Sequence, residues 1–78
     1  MKRWELNHLG NTIVVENSAL SERLYVNGEL QDEQVGLGMR SRLWGKLPAG
    51  EEIKVSVGGS TWNIQCRIFI DNKLVLPE

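Results

Sequence analysis

The chain has 78 residues, a net charge of −1 and 41% hydrophobic residues. This length allows one domain, which we expect to span residues 1–78, and the composition excludes an intrinsically disordered chain. The near-zero net charge provides no general attraction for polyanions such as nucleic acid. The longest aliphatic run, Ile13-Val14-Val15, is far shorter than the roughly 20 apolar residues of a membrane helix. The sequence therefore predicts no contact with a membrane.

The first residues and the cysteine count bear on the compartment. Lys2 and Arg3 are followed by polar residues that interrupt the apolar core a signal peptide needs. Cys66 is the single cysteine, so no disulfide can form within the chain. Both observations favour a cytoplasmic protein.

Composition favours strands over helices, because twelve Val and Ile stand against two Ala. Glycines and asparagines divide the chain into segments of strand length. The predicted strands are Trp4 to Leu9, Thr12 to Asn17, Arg23 to Val26, Glu29 to Gln31, residues 37 to 47, Ile53 to Val57, Asn63 to Ile70 and a short return through Leu74 and Leu76. These seven or eight strands predict an all-β fold, either an antiparallel β-sandwich or a flattened barrel.

Turn residues separate the predicted strands. Tight hairpin turns are predicted at Gly10-Asn11, at Asn27-Gly28 and at Asp71-Asn72. Pro48-Ala49-Gly50 and Gly58-Gly59-Ser60 are predicted to end the strands before them. Residues 18 to 22 are compatible with a single helical turn that Asn17 or Ser18 would cap.

Alternation of apolar and polar residues predicts which side chains point inward. The predicted core consists of Leu6, Ile13, Val15, Leu24, Val26, Leu43, Ile53, Val55, Val57, Ile64, Cys66, Ile68 and Ile70. Leu37, Met39 and Leu47 share the inward parity of Leu43.

Several short segments together resemble one known family. They are Trp4-Glu5-Leu6, the run from Leu24 to Glu29, Leu43-Trp44-Gly45, Ile53-Lys54-Val55 and the run from Phe69 to Asn72. In this order they resemble the strand pattern of the Fas apoptotic inhibitory molecule family, whose domain is a small all-β sandwich. The resemblance implies that fold and implies no enzymatic active site.

Catalytic and metal chemistry find little support in the sequence. His8 is the only histidine, which excludes zinc sites built from Cys and His clusters and most histidine-centred triads. Cys66 lies on the inward parity, where a buried structural thiol is expected. The pairs Asp32-Glu33 and Glu51-Glu52 are predicted to be solvated charges at turns, because adjacent residues of an extended chain point to opposite sides. Gly36-Leu37-Gly38 and Gly58-Gly59-Ser60 lack the features of phosphate-binding loops. We therefore predict no catalytic residue, no metal site and no cofactor.

The most informative side chains lie on the outward parity. Arg40, Arg42, Trp44 and Lys46 share one strand, Arg67 and Phe69 share another, and Lys54 lies between these strands in sequence. Three interpretations stay open at this stage. A bulge at Gly45 would return Trp44 to the core, the face could be a protein interface, or it could bind single-stranded nucleic acid or another ligand that stacks on aromatic rings. Trp62 is expected at a loop tip or strand start, as a cap of the sandwich or as a ligand contact.

The sequence thus predicts a non-catalytic protein-interaction or structural module. Its binding residues are predicted to be Arg40, Arg42, Trp44, Arg67 and Phe69, and its partner is another protein or a second copy of the chain. The alternative is a binder of single-stranded nucleic acid or another anionic ligand that uses the same face, although the net charge disfavours nucleic acid.

Overall fold

The structure is a computed structural model that describes residues 2–36, 40–60 and 63–77. In these ranges the chain forms eight antiparallel strands and no helix. The strands are β1 (Lys2–His8), β2 (Asn11–Asn17), β3 (Ser21–Val26), β4 (Glu29–Val35), β5 (Arg40–Lys46), β6 (Glu52–Ser60), β7 (Asn63–Ile70) and β8 (Lys73–Leu76). They confirm the predicted all-β fold.

Each sheet contains four strands that are neighbours in sequence and in space. The first sheet has the order β1-β2-β3-β4 and the second has the order β5-β6-β7-β8. Their apolar faces pack against each other around one buried cluster. Within the described residues the sheets do not close into a barrel, so the sandwich is the right one of the two predicted forms.

Two of the three predicted hairpin turns are confirmed. Asn27-Gly28 joins β3 to β4 with φ values of 52° and 84°, and Asp71-Asn72 joins β7 to β8 with φ values of 48° and 66°. Both pairs thus have the two positive φ angles of a type I′ turn, whose twist matches that of the flanking strands.

The turn predicted at Gly10-Asn11 is wrong by one residue, since Leu9 and Gly10 carry the positive φ angles. Asn11 already belongs to β2, where it is paired with His8. Its side-chain oxygen also accepts a 3.0 Å hydrogen bond from Asn27 Nδ2. This contact holds Asn11 in the sheet and moves the turn back by one position.

The predicted helical turn at residues 18 to 22 is also wrong. The backbone N–H of Ser18 donates to the carbonyl of Ser21 at 2.8 Å, and β3 starts at Ser21. Glu22 is buried in this strand, where its carboxylate accepts hydrogen bonds from Asn17 Nδ2 at 2.9 Å and from Ser41 Oγ at 2.7 Å. Because Ser41 belongs to the second sheet, the pair Glu22 and Ser41 joins the two sheets.

Gly58-Gly59-Ser60 does not end its strand, because β6 continues to Ser60 and pairs with β7 throughout. Gly59 has a φ of 138°, and a Cβ at this position would lie 2.0 Å from the carbonyl oxygen of Asn63. Only glycine allows this close approach of two backbones. Gly58 and Gly59 therefore allow β6 to continue to Ser60.

The predicted core is confirmed with small changes. All of its residues are buried except Ile64, which is partly buried against the same cluster. Leu47 is buried as well, as its parity with Leu43 indicates. Leu37, Met39 and Trp62 lie outside the described residues, as do the first three positions of the strand predicted over residues 37 to 47.

Side chains around a bulge in β4 join the two sheets along one side. Leu24 pairs with Asp32 and Tyr25 with Leu30, which leaves Gln31 as the extra residue. The side chains of Gln31, Asp32 and Gln34 accept hydrogen bonds from backbone N–H groups of β5, at 3.3, 2.9 and 3.0 Å. These contacts satisfy donors on the outer edge of β5, which would otherwise be open to strand pairing.

Candidate interaction surface

The outward side chains of β5, β6 and β7 form a surface that we call the basic face. Its charged and aromatic members are Arg40, Arg42, Trp44, Lys46, Glu52, Lys54, Arg67 and Phe69. The structure therefore brings all five residues of the predicted site onto one side of one sheet. Arg40, Arg42, Trp44 and Arg67 are exposed, whereas Phe69 is partly buried.

Trp44 is on the surface, with 53% of its area exposed. The pairing of β5 with β6 is regular through Trp44, which faces Lys54, and through Gly45, which faces Ile53. The bulge considered at Gly45 is absent from this pairing, so the interpretation that returns Trp44 to the core is wrong. The nearest bulge lies in β4, at Gln31.

Two backbone contacts from β4 fix the position of β5. Asp32 Oδ2 accepts from the N–H of Trp44 at 2.9 Å, and Gln34 Oε1 accepts from the N–H of Arg42 at 3.0 Å. Asp32 and Glu33 lie in β4, so their predicted place at a turn is wrong. Sequence reasoning missed these contacts because the bulge that directs them is not visible in the alternation.

A row of three apolar side chains and one lysine crosses the basic face. Trp44 faces Lys54, Lys54 faces Phe69, and Phe69 faces Leu74 of β8. The Lys54 ammonium donates to Asn72 Oδ1 at 3.1 Å. Leu74 is 51% exposed, because it pairs with the outward Phe69 across the two-residue turn Asp71-Asn72. The register shift between Ile68 and Phe69 follows this pair and turns Leu76 toward the core.

The neighbouring rows carry the positive charge. Arg42 faces Ser56 and Ser56 faces Arg67, while Arg40 faces Gly58 in the next row. Within the described residues, no acidic side chain forms an ion pair with Arg40, Arg42 or Arg67. Glu52 is the one acidic outward residue of these three strands, at their far end beside Lys46.

The outer side of the first sheet has a different pattern, and we call it the paired face. One row runs Arg3, Glu16, Arg23 and Glu33 across β1 to β4. Arg3 forms an ion pair with Glu5 at 2.9 Å, and Arg23 forms one with Glu33. The hydrogen bond to Glu33 raises the pKa of Arg23 above its ordinary value, and Tyr25 makes a smaller contribution in the same direction.

The basic face contains a polar depression at one end. Arg40, Ser56, Gly58, Gly59, Gln65 and Arg67 line it. Its volume is about 220 Å³. A second, more apolar depression of about 390 Å³ lies at the open side of the sandwich, where Trp4, Ile64, Cys66 and Leu76 are among its lining residues.

The candidate catalytic residues do not assemble into a site in the described ranges. Cys66 is buried, and desolvation raises the pKa of its thiol to about 12, which disfavours the reactive thiolate. His8 is partly buried at the end of β1. Among residues 2–36, 40–60 and 63–77, no group of three or more His, Cys, Asp or Glu side chains could hold a metal ion.

Comparison of the chain with protein-family models, with curated proteins and with solved structures found no match. In the part of the chain that the structure describes, no helix has the length and apolarity to cross a membrane.

Proposed function

We propose that this chain is a non-catalytic interaction module whose basic face binds an acidic, partly apolar segment of another protein. The observation that supports this proposal is the exposed Trp44 in a row next to arginines that have no acidic partner among the described residues. Trp and Arg are the side chains that most often dominate binding energy at protein interfaces. Trp44, Phe69 and Leu74 in one row beside cationic side chains suit a segment with both acidic and apolar side chains.

Charge favours a different protein over a second copy of the chain. In a twofold symmetric dimer the same patch meets itself. Two basic faces in contact would place Arg42 and Arg67 of one copy against the cations of the other, and like charges across an interface are unfavourable. An acidic segment avoids this repulsion.

Single-stranded nucleic acid is the second candidate partner. Bases can stack on an exposed aromatic ring while arginines contact phosphates, and Trp44 lies one row from Arg42. The net charge of −1 counts against this candidate, since most of the affinity for nucleic acid comes from phosphate contacts.

The proposal includes a cytoplasmic location, because a buried, unpaired cysteine suits a reducing compartment. The resemblance to the Fas apoptotic inhibitory molecule family stays a prediction beside it. That resemblance agrees with the all-β fold and implies no specific partner.

The test is an NMR titration of the ¹⁵N-labelled chain with a synthetic peptide of alternating Glu and Leu at low salt. We expect the shifted amides to lie in β5, β6 and β7. Trp44→Ala should weaken binding by about 30-fold, the factor that corresponds to a hot-spot loss of about 2 kcal/mol. Circular dichroism of the variant should still show the folded protein.

A matched pair of double variants separates the two faces. Arg42→Gln with Arg67→Gln should weaken peptide binding, whereas Arg3→Gln with Arg23→Gln removes the same charge from the paired face and should leave it unchanged. If both double variants lose the same affinity for the peptide, the basic face is not the binding site. Tighter binding of an oligonucleotide than of the peptide would favour the nucleic-acid alternative instead.

Solution mass distinguishes another protein from a second copy. Light scattering should give a monomer near 8.8 kDa at low and high salt. A salt-resistant dimer that Trp44→Ala dissociates would overturn the proposal in favour of self-association.

A further inference from the structure

The polar depression at the end of the basic face has a glycine at its floor. Gly58 of β6 lies between Arg40 of β5 and Gln65 of β7 in one register row. Because Gly58 has no side chain, the outer surface is lower here than in the neighbouring rows. Arg67 lies one row away, facing Ser56, so guanidinium groups from both flanking strands border the depression.

The side chains around the depression supply hydrogen-bond donors and positive charge. Arg40 and Arg67 present guanidinium groups, Ser56 a hydroxyl group and Gln65 an amide. Among the described residues, no hydrogen bond involves the polar atoms of these four side chains, and no carboxylate lines the depression. Arginine side chains bind phosphate oxygens with two parallel hydrogen bonds, which adds geometric specificity to charge.

We propose that this depression is a recognition site for a phosphate monoester carried by a phosphorylated side chain of the acidic partner segment. Two guanidinium charges match a phosphate monoester, which carries about −1.5 to −2 at neutral pH. A phosphodiester of nucleic acid carries a single charge and matches the pair less well. The depression has a volume of about 220 Å³, which is enough for a phosphate group.

The position of the depression fits a segment that runs along β5. Arg40, Arg42 and Trp44 follow one another on the outward parity of β5. A bound chain that places an apolar side chain on Trp44 and continues along β5 past Arg42 therefore reaches the depression at Arg40. The choice of a phosphorylated segment rests on the proposed function, whereas the phosphate site itself can be tested without it.

The experiment begins with inorganic phosphate added to the ¹⁵N-labelled chain at constant ionic strength. We expect saturable shifts at Arg40, Gly58, Gln65 and Arg67, and weaker binding as the pH falls through the second pKa of inorganic phosphate, because the ion then carries one negative charge instead of two. Sulfate should bind without this pH dependence. Shifts spread over Arg3 and Arg23 as well would show general screening and would overturn the site.

Two variants localise the binding. Arg67→Gln removes one guanidinium group and should weaken phosphate binding by about tenfold, whereas Arg23→Gln on the paired face should leave it unchanged. Gly58→Val should abolish binding by filling the floor. If Gly58→Val does not fold, Arg67→Gln alone decides, and an unchanged affinity in that variant refutes the proposal.

Peptides then separate this inference from the proposed function. A phosphoserine form of the acidic peptide should bind at least tenfold more tightly than its serine form, with the difference lost in Arg67→Gln. Binding of the unmodified peptide without any preference for phosphoserine would overturn this inference and leave the proposed function. Phosphate binding without peptide binding would keep the site and reject the proposed partner segment.

Discussion

The outer faces of the two sheets differ in how their charged side chains are arranged. On the paired face, Arg3, Glu16, Arg23 and Glu33 alternate in sign across one row. On the basic face, arginines stand on neighbouring rows without an acidic partner among the described residues. Opposite charges across strands stabilise a sheet and like charges destabilise it. The net charge of −1 hides this difference completely.

The difference indicates that the basic face is not optimised for folding alone. A sequence departs from local rules mainly at functional sites, where stability is exchanged for binding. An exposed Trp44 next to arginines that have no acidic partner in residues 2–36, 40–60 and 63–77 departs from two rules at once, those for apolar exposure and for charge pairing. The first sheet shows that this chain can pair its surface charges where binding does not require otherwise.

The largest expected effect is on the alkylation rate of Cys66, which tests the alternation in β7 that places Arg67 outward. Cys66, its neighbour, is buried with a pKa raised to about 12 from the ordinary 9.0. At about pH 8 its thiolate fraction should be roughly a thousandth of that of an exposed cysteine, so alkylation of the native protein should be slowed by a similar factor. Alkylation as fast as in unfolded protein would place Cys66 on the surface and break the comparison.

The same group gives a pH dependence with a defined sign. The folded protein keeps the Cys66 proton up to about pH 12, whereas the unfolded chain loses it near 9.0. Between these values the unfolded state binds fewer protons, so the free energy of unfolding falls as pH rises. Urea titrations across this range should show a shallower fall for Cys66→Ala than for the unchanged chain.

The next effect compares adjacent residues of β5. Leu43 is fully buried and Trp44 is half exposed. Leu43→Ala should lower the free energy of unfolding by about 2–5 kcal/mol, and Trp44→Ala by about 1 kcal/mol or less. Chemical denaturation measures both. A Trp44→Ala cost as large as that of Leu43→Ala would move Trp44 into the core.

A smaller effect tests the contact that joins β4 to β5 and so positions the basic face. A Cβ at Gly45 would lie 3.0 Å from Leu24 Cδ2 and 3.2 Å from Gln31 Cβ. Gly45→Ala should therefore cost about 1–3 kcal/mol. Combined with Gln31→Gly, it should cost less than the sum of the two single changes. Strict additivity would show that Gln31 does not contact this position.

The smallest expected effect is a change in melting temperature, and it compares the two faces directly through the same charge reversal. Arg42→Glu places an acid among cations and should raise the melting temperature slightly at low salt. Arg23→Glu places an acid opposite Glu33 and should lower it. In 1 M salt, where the Debye length is about 3 Å, both shifts should shrink. Shifts of equal sign at low salt would remove the electrostatic difference between the faces.

The sequence predicted the faces well, because alternation assigns each strand residue to one side. Parity predicts Arg67 outward and Cys66 inward, as the structure confirms. Parity alone leaves Trp44 open between surface and core, because a bulge at Gly45 would reverse its direction. The β4 bulge and the inward turn of Leu76 in β8 depend on shifts in register. Such shifts are set by packing between strands and leave no trace in local periodicity.

The polar depression could not be predicted for a related reason. It requires Gly58 to lie between Arg40 and Gln65, which is a property of three strands in register. The sequence pattern ended the strand at the glycines, since glycine usually weakens a strand. The buried Glu22 was missed because carboxylates are rarely buried unless other groups hydrogen-bond them.

The strand order has a consequence for folding kinetics. Within each sheet, every strand pairs with its neighbours in the chain, so every strand pairing closes a short loop. The loss of chain entropy at each step is therefore small, and β-proteins with such local pairings fold faster than those whose strands pair over long distances. The two halves of the chain can each form their hairpins first, and the buried contact between Ser41 and Glu22 then depends on their docking.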